Sequence, residues 1–418
     1  MSKIRVVLKN RNFFFLWLGQ IISQIGDRLG QMALIGFVYL RAPGSTLEIA
    51  KILSFTIIPV FLIGPLAGVY VDRWDRRRTL YTCDLLRTVL VLAIPLFLFY
   101  TKNLTLMYLL VFIIFCIGRF FVPAKMSIVP DLVEEKDLLL ANSLVTTTGM
   151  IAAILGFGIS GLVVEWFGPK SGFYLDALSF FISAALIFFI TTKSVAYMNI
   201  RKVSKEIVEV LLRKSVLQEI KEGILYFIQN KDIRFTSGVI FILWSALGSV
   251  YVVIIAFVQK TLHSATKDLG LLIMFLGVGL FVGSIVYGRF GQRLSHHKII
   301  FASLISSGIM LIVFALGINR YPNFFIAAIL SFLLGFVIAP ISIASNTIIH
   351  NVSATNMMGK IFSSLEIVMH LGFLIFMFMS SFLAERFPNY LILVIVGCIF
   401  TILGIVNLIY NRELPWLD

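Results

Sequence analysis

Apolar runs of about 20 residues alternate with short polar breaks along almost the whole chain, and each run is long enough to cross a bilayer as a helix. Twelve spans are expected. Six fall at roughly 13–40, 49–71, 79–100, 104–125, 141–166 and 172–191, and six at roughly 235–260, 268–290, 298–317, 323–347, 362–384 and 389–410. Between the sixth and seventh lies a polar stretch of about 40 residues. Within it Val216, Leu217, Ile220, Ile224, Phe227 and Ile228 keep helical spacing, with Lys221 and Glu222 on the opposite face. A helix lying on the membrane surface and tethering two halves is expected there. The organisation read from this pattern is a six-helix bundle over 1–191, a cytoplasmic linker over 192–234 and a second six-helix bundle over 235–418.

The chain also repeats itself. Gly64, Gly68 and Arg78 recur as Gly279, Gly283 and Arg293 at a constant offset of 215, and Pro123 of the fourth span has a counterpart in Pro340 of the tenth. The fold class expected is therefore an all-α integral membrane protein, with twelve transmembrane helices in two bundles related by pseudo-twofold symmetry. Duplicated halves of this kind are an architecture of secondary transporters.

Composition agrees. Of 418 residues, 59% are hydrophobic and 13% charged, whereas a soluble domain has about 45–50% and about 25%. The net charge of +14 follows membrane topology rather than a nucleic-acid surface. With the N-terminus inside, about 24 of the 35 basic residues fall on the cytoplasmic side, so both termini are expected in the cytoplasm. The basic stretch "MSKIRVVLKNRNFFFLW" leads directly into a span and lacks the short core and small-residue cleavage site of a signal peptide. Cys83, Cys116 and Cys398 show no ligand or disulfide spacing. Phosphate-loop, H-E-x-x-H and G-x-S-x-G motifs do not occur. Enzyme chemistry, a cofactor and a metal are not expected.

Polar groups inside the spans carry the remaining information. Gln20, Gln24, Asp27 and Gln31 form one stripe on the first span, beside a stripe of small residues, Gly19, Ser23, Gly26 and Gly30. The small stripe suits close helix packing, and the Gln residues are expected to line a cavity or face another helix. Asp27 lies about 21 Å along the axis from Phe13, and Arg28 points about 100° away from it. Two readings of Asp27 stay open: a structural ion pair, or a protonatable coupling site. Glu366 and His370, four apart on the eleventh span, are a second candidate proton site. Asp84, Arg87 and Arg119 are expected to form a structural charge cluster, with Asp84 and Arg87 paired along one helix face.

The charged run after the second span gives the chain a family likeness. "GVYVDRWDRRR" resembles the signature of the major facilitator superfamily, G-x-x-x-D-[RK]-x-G-[RK]-[RK], at Gly68, Asp72, Arg73, Arg76 and Arg77, with Asp75 where the family has Gly. "IGDRLGQMAL" and "FFVPAKMSIVPDLVEEKDLLLANSL" are similar to the drug:proton antiporter branch that includes macrolide efflux proteins and some siderophore exporters. The antiporter motif G-P-x-x-G-G is eroded in "GFGISG", where Phe157 replaces the Pro and Ser160 the first paired Gly.

The resemblance implies a gating latch in the loop. With the cytoplasmic gate shut, Asp72 would face the N-terminal end of the eleventh helix near Gly359–Ser363, and Arg73 and Arg77 would pair with acidic groups such as Asp131 or Glu134. Tyr287 stands at the second-half position equivalent to Asp72. The implied function is export of a lipophilic small molecule from the cytoplasm of a bacterium, exchanged for protons by alternating access. The expected partners are that substrate, protons and membrane lipid, with no nucleic acid, and the chain is expected to be a monomer in the cell membrane. Export of a siderophore, or flipping of a lysophospholipid, is the alternative on the same fold; a non-transporting membrane protein is the alternative of another class.

Overall fold

A computed structural model of the chain describes residues 3–71, 74–100, 104–191, 231–291, 295–352 and 358–410. Asp72, Arg73, Arg293 and the surface helix expected over 216–228 lie outside the described residues.

The described elements are helices, joined by turns and one short 3-10 turn over Glu135–Asp137. A short α1 (Lys3–Lys9) precedes α2 (Arg11–Arg41), α3 (Thr46–Val71), α4 (Arg76–Tyr100), α5 (Leu104–Leu132), α6 (Leu138–Phe167) and α7 (Pro169–Phe188). After the linker come α8 (Lys231–Leu262), α9 (Lys267–Phe290), α10 (His296–Arg320), α11 (Phe324–Val352), α12 (Met358–Ala384) and α13 (Asn389–Tyr410). Hydrocarbon offers the backbone no hydrogen-bond partners, so an apolar chain in lipid satisfies its amides within helices.

Eleven of the helices are long and apolar enough to cross a membrane. The twelfth, α2, has the length, roughly 46 Å at 1.5 Å per residue, but carries the Gln and Asp stripe and Arg28. Its polarity marks it as the helix that must turn a wet or paired face inward. The twelve-helix, all-α membrane fold read from the hydropathy pattern is the fold observed.

Helix ends follow local chemistry. Asn10 caps α2, its Oδ1 accepting from the amides of Asn12 at 3.0 Å and Phe13 at 3.2 Å. Gly168, at φ 80°, makes the turn from α6 into α7, with Pro169 at the first helical position. Asn323 Oδ1 accepts from the Phe325 amide at 2.8 Å and starts α11.

The chain divides into two compact units. Unit 1 comprises Met1–Phe37 and Lys51–Val216, and unit 2 comprises Val38–Ala50 and Leu217–Asp418. The core of unit 1 gathers Phe13, Leu16, Val71, Leu80, Phe121, Ile128 and Ile187. Unit 2 builds its core on Val239, Leu243, Ile300, Phe301, Leu304, Ile341 and Phe400.

Glycines set the helix contacts inside unit 2. A side chain on Gly279 would overlap the Phe332 carbonyl, and one on Gly335 would overlap the Leu276 carbonyl, so α9 and α11 touch backbone to backbone. Gly283 continues the contact against Phe336. The first-half counterpart Gly64 has open space where a side chain would go, with nothing within 4 Å among the described residues. At Gly64 the repeat is one of sequence without the packing. Pro123 and Pro340, by contrast, both stand inside helices, α5 and α11.

Unit 2 also holds the turn between α2 and α3. Thr46 Oγ1 donates to the Ser381 carbonyl at 2.8 Å, and the Glu385 carboxylate accepts from Ser45 Oγ at 2.9 Å and from the Leu47 amide at 3.2 Å. An acidic group thus meets the unpaired amides at the start of α3.

Candidate functional site: a buried charge cluster and an aromatic cavity

Close packing of α2 on α7 places the first site. Gly19, Gly26 and Gly30 of α2 lie against Ser183, Ser179 and Asp176 of α7, with no room for a side chain at Gly26 or Gly30. The stripe of small residues read from the sequence is therefore a helix contact, and its partner is a small polar stripe on α7. That contact holds the Asp176 carboxylate over the α2 backbone, 5% exposed, with Oδ1 lacking a hydrogen-bond partner.

Arg87 reaches the same place from α4. Its Nη2 donates to Asp27 Oδ1, and its Nη1 stands 3.7 Å from Asp84 Oδ1. Its guanidinium carbon sits 3.8 Å from the centre of the Phe180 ring, within cation–π range. Asp84 is fully buried, and neither of its carboxylate oxygens has hydrogen-bond geometry to a partner. Lys125 of α5 is a further cation in electrostatic reach of Asp27. Asp27, Gln31, Arg87, Asp176, Phe173 and Phe180 border a cavity of ≈ 30 Å³, enough to admit a water.

Asp27 and the pair Asp84/Arg87, read from the sequence as separate features, thus form one group. The expected pairing of Asp84 with Arg87 is present but loose; the tight contact of Arg87 crosses to α2. Arg119, expected in the same cluster, is half-buried on α5 beside Gly118, the residue that faces Arg87. The ion pairs described here join Asp27, Asp84 and Arg87.

The Gln stripe divides between the two expected places, another helix and a cavity. Gln20 is 3% exposed and donates to the Val145 carbonyl at 3.2 Å, so it joins α2 to α6 instead of lining a cavity. Gln24 packs over Gly149 of α6. Gln31 alone of the three borders the cavity, and it accepts from Arg28 at 3.0 Å. Arg28 then lies 4.8 Å over the ring of Phe157, while its stem packs on Gly156. The Phe that erodes the antiporter motif is a platform for an intramembrane arginine.

Asp176, Phe180 and Lys125 were missed by the sequence reading. The signal for Asp176 was present, since a carboxylate in the apolar run "YLDALSFF" is a functional candidate by its cost alone.

The charged loop is also rearranged from expectation. Arg76, not Arg77, pairs with Asp131, at 2.7 Å, and it also donates to the Ser127 carbonyl at 2.9 Å. Arg77 donates to the Phe188 carbonyl at the end of α7 and packs its guanidinium 5.5 Å from the Phe188 ring. Both arginines follow Asp75 on the first turn of α4, where successive side chains diverge by about 100° and so reach different helices. Glu134 pairs with Lys136 at 2.6 Å, and this contact holds its carboxyl below the usual range. Asp75, the departure from the family signature, caps α4 through its Oδ1, which accepts from the Arg78 amide at 2.8 Å. Tyr287, at the position equivalent to Asp72, joins its hydroxyl to His296 Nδ1 at 2.8 Å. The surroundings of Gly68 lie outside the described side chains.

In unit 2, α8 and α12 meet at Gly248 against Phe373 and at Gly372 against Ser245. Just N-terminal to the Gly372 contact, α12 turns Glu366, Met369 and His370 toward Trp244 of α8 and Ser342 and Ser345 of α11. Together these residues border a cavity of ≈ 410 Å³. His370 and Trp244 rings lie 5.0 Å apart. The shared face expected for Glu366 and His370 is the face that borders this cavity.

A helical membrane protein with two compact units, a run of arginines after its second span and buried intramembrane charges belongs to the class of multi-pass transporters. The family profile described as transmembrane secretion effector matches residues 6–384, and the chain belongs to that family, within the major facilitator superfamily. It is similar to the MFS-type transporter YkuC of Bacillus subtilis strain 168, 28% identical over 363 residues, covering 85% of this chain and 81% of that protein. It is also similar to macrolide efflux protein A of Streptococcus pyogenes, 24% identical over 385 residues and covering 90% and 89%. Among solved structures, a bacterial homologue of the iron transporter ferroportin in an inward-facing state superposes with a TM-score of 0.72 at 16% identity, covering 96% and 99%, and so shares the fold.

Proposed function

We propose that the chain is a secondary exporter of amphipathic small molecules, driven by protons that pass through the Asp27–Arg87–Asp84–Asp176 cluster. The observation that carries this reading is three carboxylates converging on one guanidinium inside an apolar bundle. An uncompensated buried charge costs several kcal/mol, and one guanidinium does not balance three ionised carboxylates. The cavity bordered by Asp27 and Asp176 gives a proton a place to arrive with water. Arg87, held on the Phe180 ring, then has two states: bound to Asp27, or released from it when that carboxylate is neutralised. Similarity to a macrolide efflux protein supports export of a bulky, largely apolar compound. The bias of Lys and Arg supports placement in the cell membrane with both termini cytoplasmic. Asp72, Arg73, Arg76 and Arg77 act as the gating latch in this reading, with the pairing of Arg76 and Asp131 as one of its ties.

The test is uptake of a fluorescent macrolide into inside-out vesicles carrying an imposed pH gradient, acid inside. Gradient-driven uptake is expected for the parent. Asp27→Asn and Asp176→Asn should retain downhill binding and lose at least tenfold of the gradient-dependent rate. Parent uptake that ignores the gradient would sink the coupling.

A further inference from the structure

The cavity in unit 2 has a chemistry the proton cluster does not share, and it indicates what the exporter carries. Glu366 is exposed on the cavity side of α12, and among the described residues no basic side chain pairs with it and no donor meets its carboxylate. Among the described residues it is the one acidic group on the cavity wall, beside Trp244, His370, two serines and apolar side chains. His370 Nδ1 lies 2.7 Å from the Glu366 carbonyl. A carbonyl only accepts, so Nδ1 carries a proton in that contact. The wall therefore offers a carboxylate, an imidazole and the π face of an indole, with no lysine or arginine among its described residues.

We infer that this cavity is the substrate subsite for an amphipathic organic cation, held by Glu366 as counter-ion and by Trp244 as aromatic platform. Three features argue for that class. A carboxylate facing an unfilled, partly apolar space is stabilised by a cation and repels an anion. Trp is the best cation–π acceptor among side chains, at about 6 Å or less from the charge. A volume of ≈ 410 Å³ suits a drug-sized body, and Met369 and Leu365 give it a deformable apolar wall. Anionic amphiphiles, including lysophospholipids with free phosphate and catecholate siderophores, would meet Glu366 with like charge. The inference rests on the exporter reading, but its test needs no gradient.

The protein is placed in lipid nanodiscs and titrated calorimetrically with tetraphenylphosphonium and, separately, with tetraphenylborate, its size-matched anion, against empty nanodiscs as the blank. The cation should bind at least tenfold more tightly than the anion. Glu366→Gln should weaken the cation about tenfold and bring the two ions within threefold of each other, while Glu366→Asp should keep the preference. Trp244→Leu should weaken the cation and leave the anion unchanged. Equal affinity for both ions in the parent, or a cation affinity indifferent to Glu366→Gln, would overturn the assignment. Ion preference without gradient-driven transport would instead remove the proton coupling and leave this subsite standing.

Discussion

Asp176 owes its chemistry to its neighbours. On its own helix it is one carboxylate in an apolar run; against α2 it has glycine on one side and, beyond it, an arginine already paired to Asp27. Sequence spacing displays partners three or four residues apart, as with Asp84 and Arg87, because helix geometry relates them. It is silent about Asp27 and Arg87, 60 positions apart, whose meeting depends on how three helices pack. Asp75 is the opposite case, legible from sequence as a departure and explained by one bond. Asp75→Ala should remove the α4 cap and lower stability by about 1 kcal/mol, read as a lower midpoint in thermal unfolding of the detergent-solubilised protein. Transport by the surviving folded fraction should be unaffected.

Among the elements, apolar runs located all twelve long helices, and α2 is the one whose run carries polar stripes. The reason is physical: lipid enforces continuous apolar runs, and only a helix with a polar face inside the bundle is released from that demand. Contact geometry was less legible. Gly64 and Gly279 look equivalent in sequence, yet only Gly279 touches a facing backbone. Gly279→Leu should force α9 from α11 and reduce folded yield severely, while Gly64→Ala should be neutral, both read by fluorescence-detected size-exclusion chromatography. Equal sensitivity at the two positions would mean that the repeat extends to packing. The linker helix and the Asp72 side of the latch remain expectations from sequence.

At the scale of the whole molecule, the two units share a helical plan and differ in electrostatics. Unit 1 concentrates acidic groups around Arg87; among the described residues the cavity of unit 2 has one carboxylate and an aromatic wall. Duplicated folds allow this division, because symmetry of backbone places no constraint on which half keeps its charges. The proposed division of labour, protons in one unit and cargo in the other, follows from that inequality. Sequence showed the duplication and the candidate residues, and it could not show the inequality, since burial and pairing decide which charges are spent.

The interlocking of α2 with α7 has a mechanical consequence. With hydroxyls and a carboxylate of one helix seated over the glycines of the other, sliding by a turn would take Ser179 or Asp176 off its glycine and against a neighbouring side chain of α2. The two helices must travel as a single rod, tilting together while other contacts change around them. A covalent staple should therefore cost nothing: the double variant Gly19→Cys/Ser183→Cys, at a site where a new Cβ would lie 3.3 Å from the Ser183 hydroxyl, should oxidise readily in membranes. The stapled protein should then transport at the rate of the reduced one.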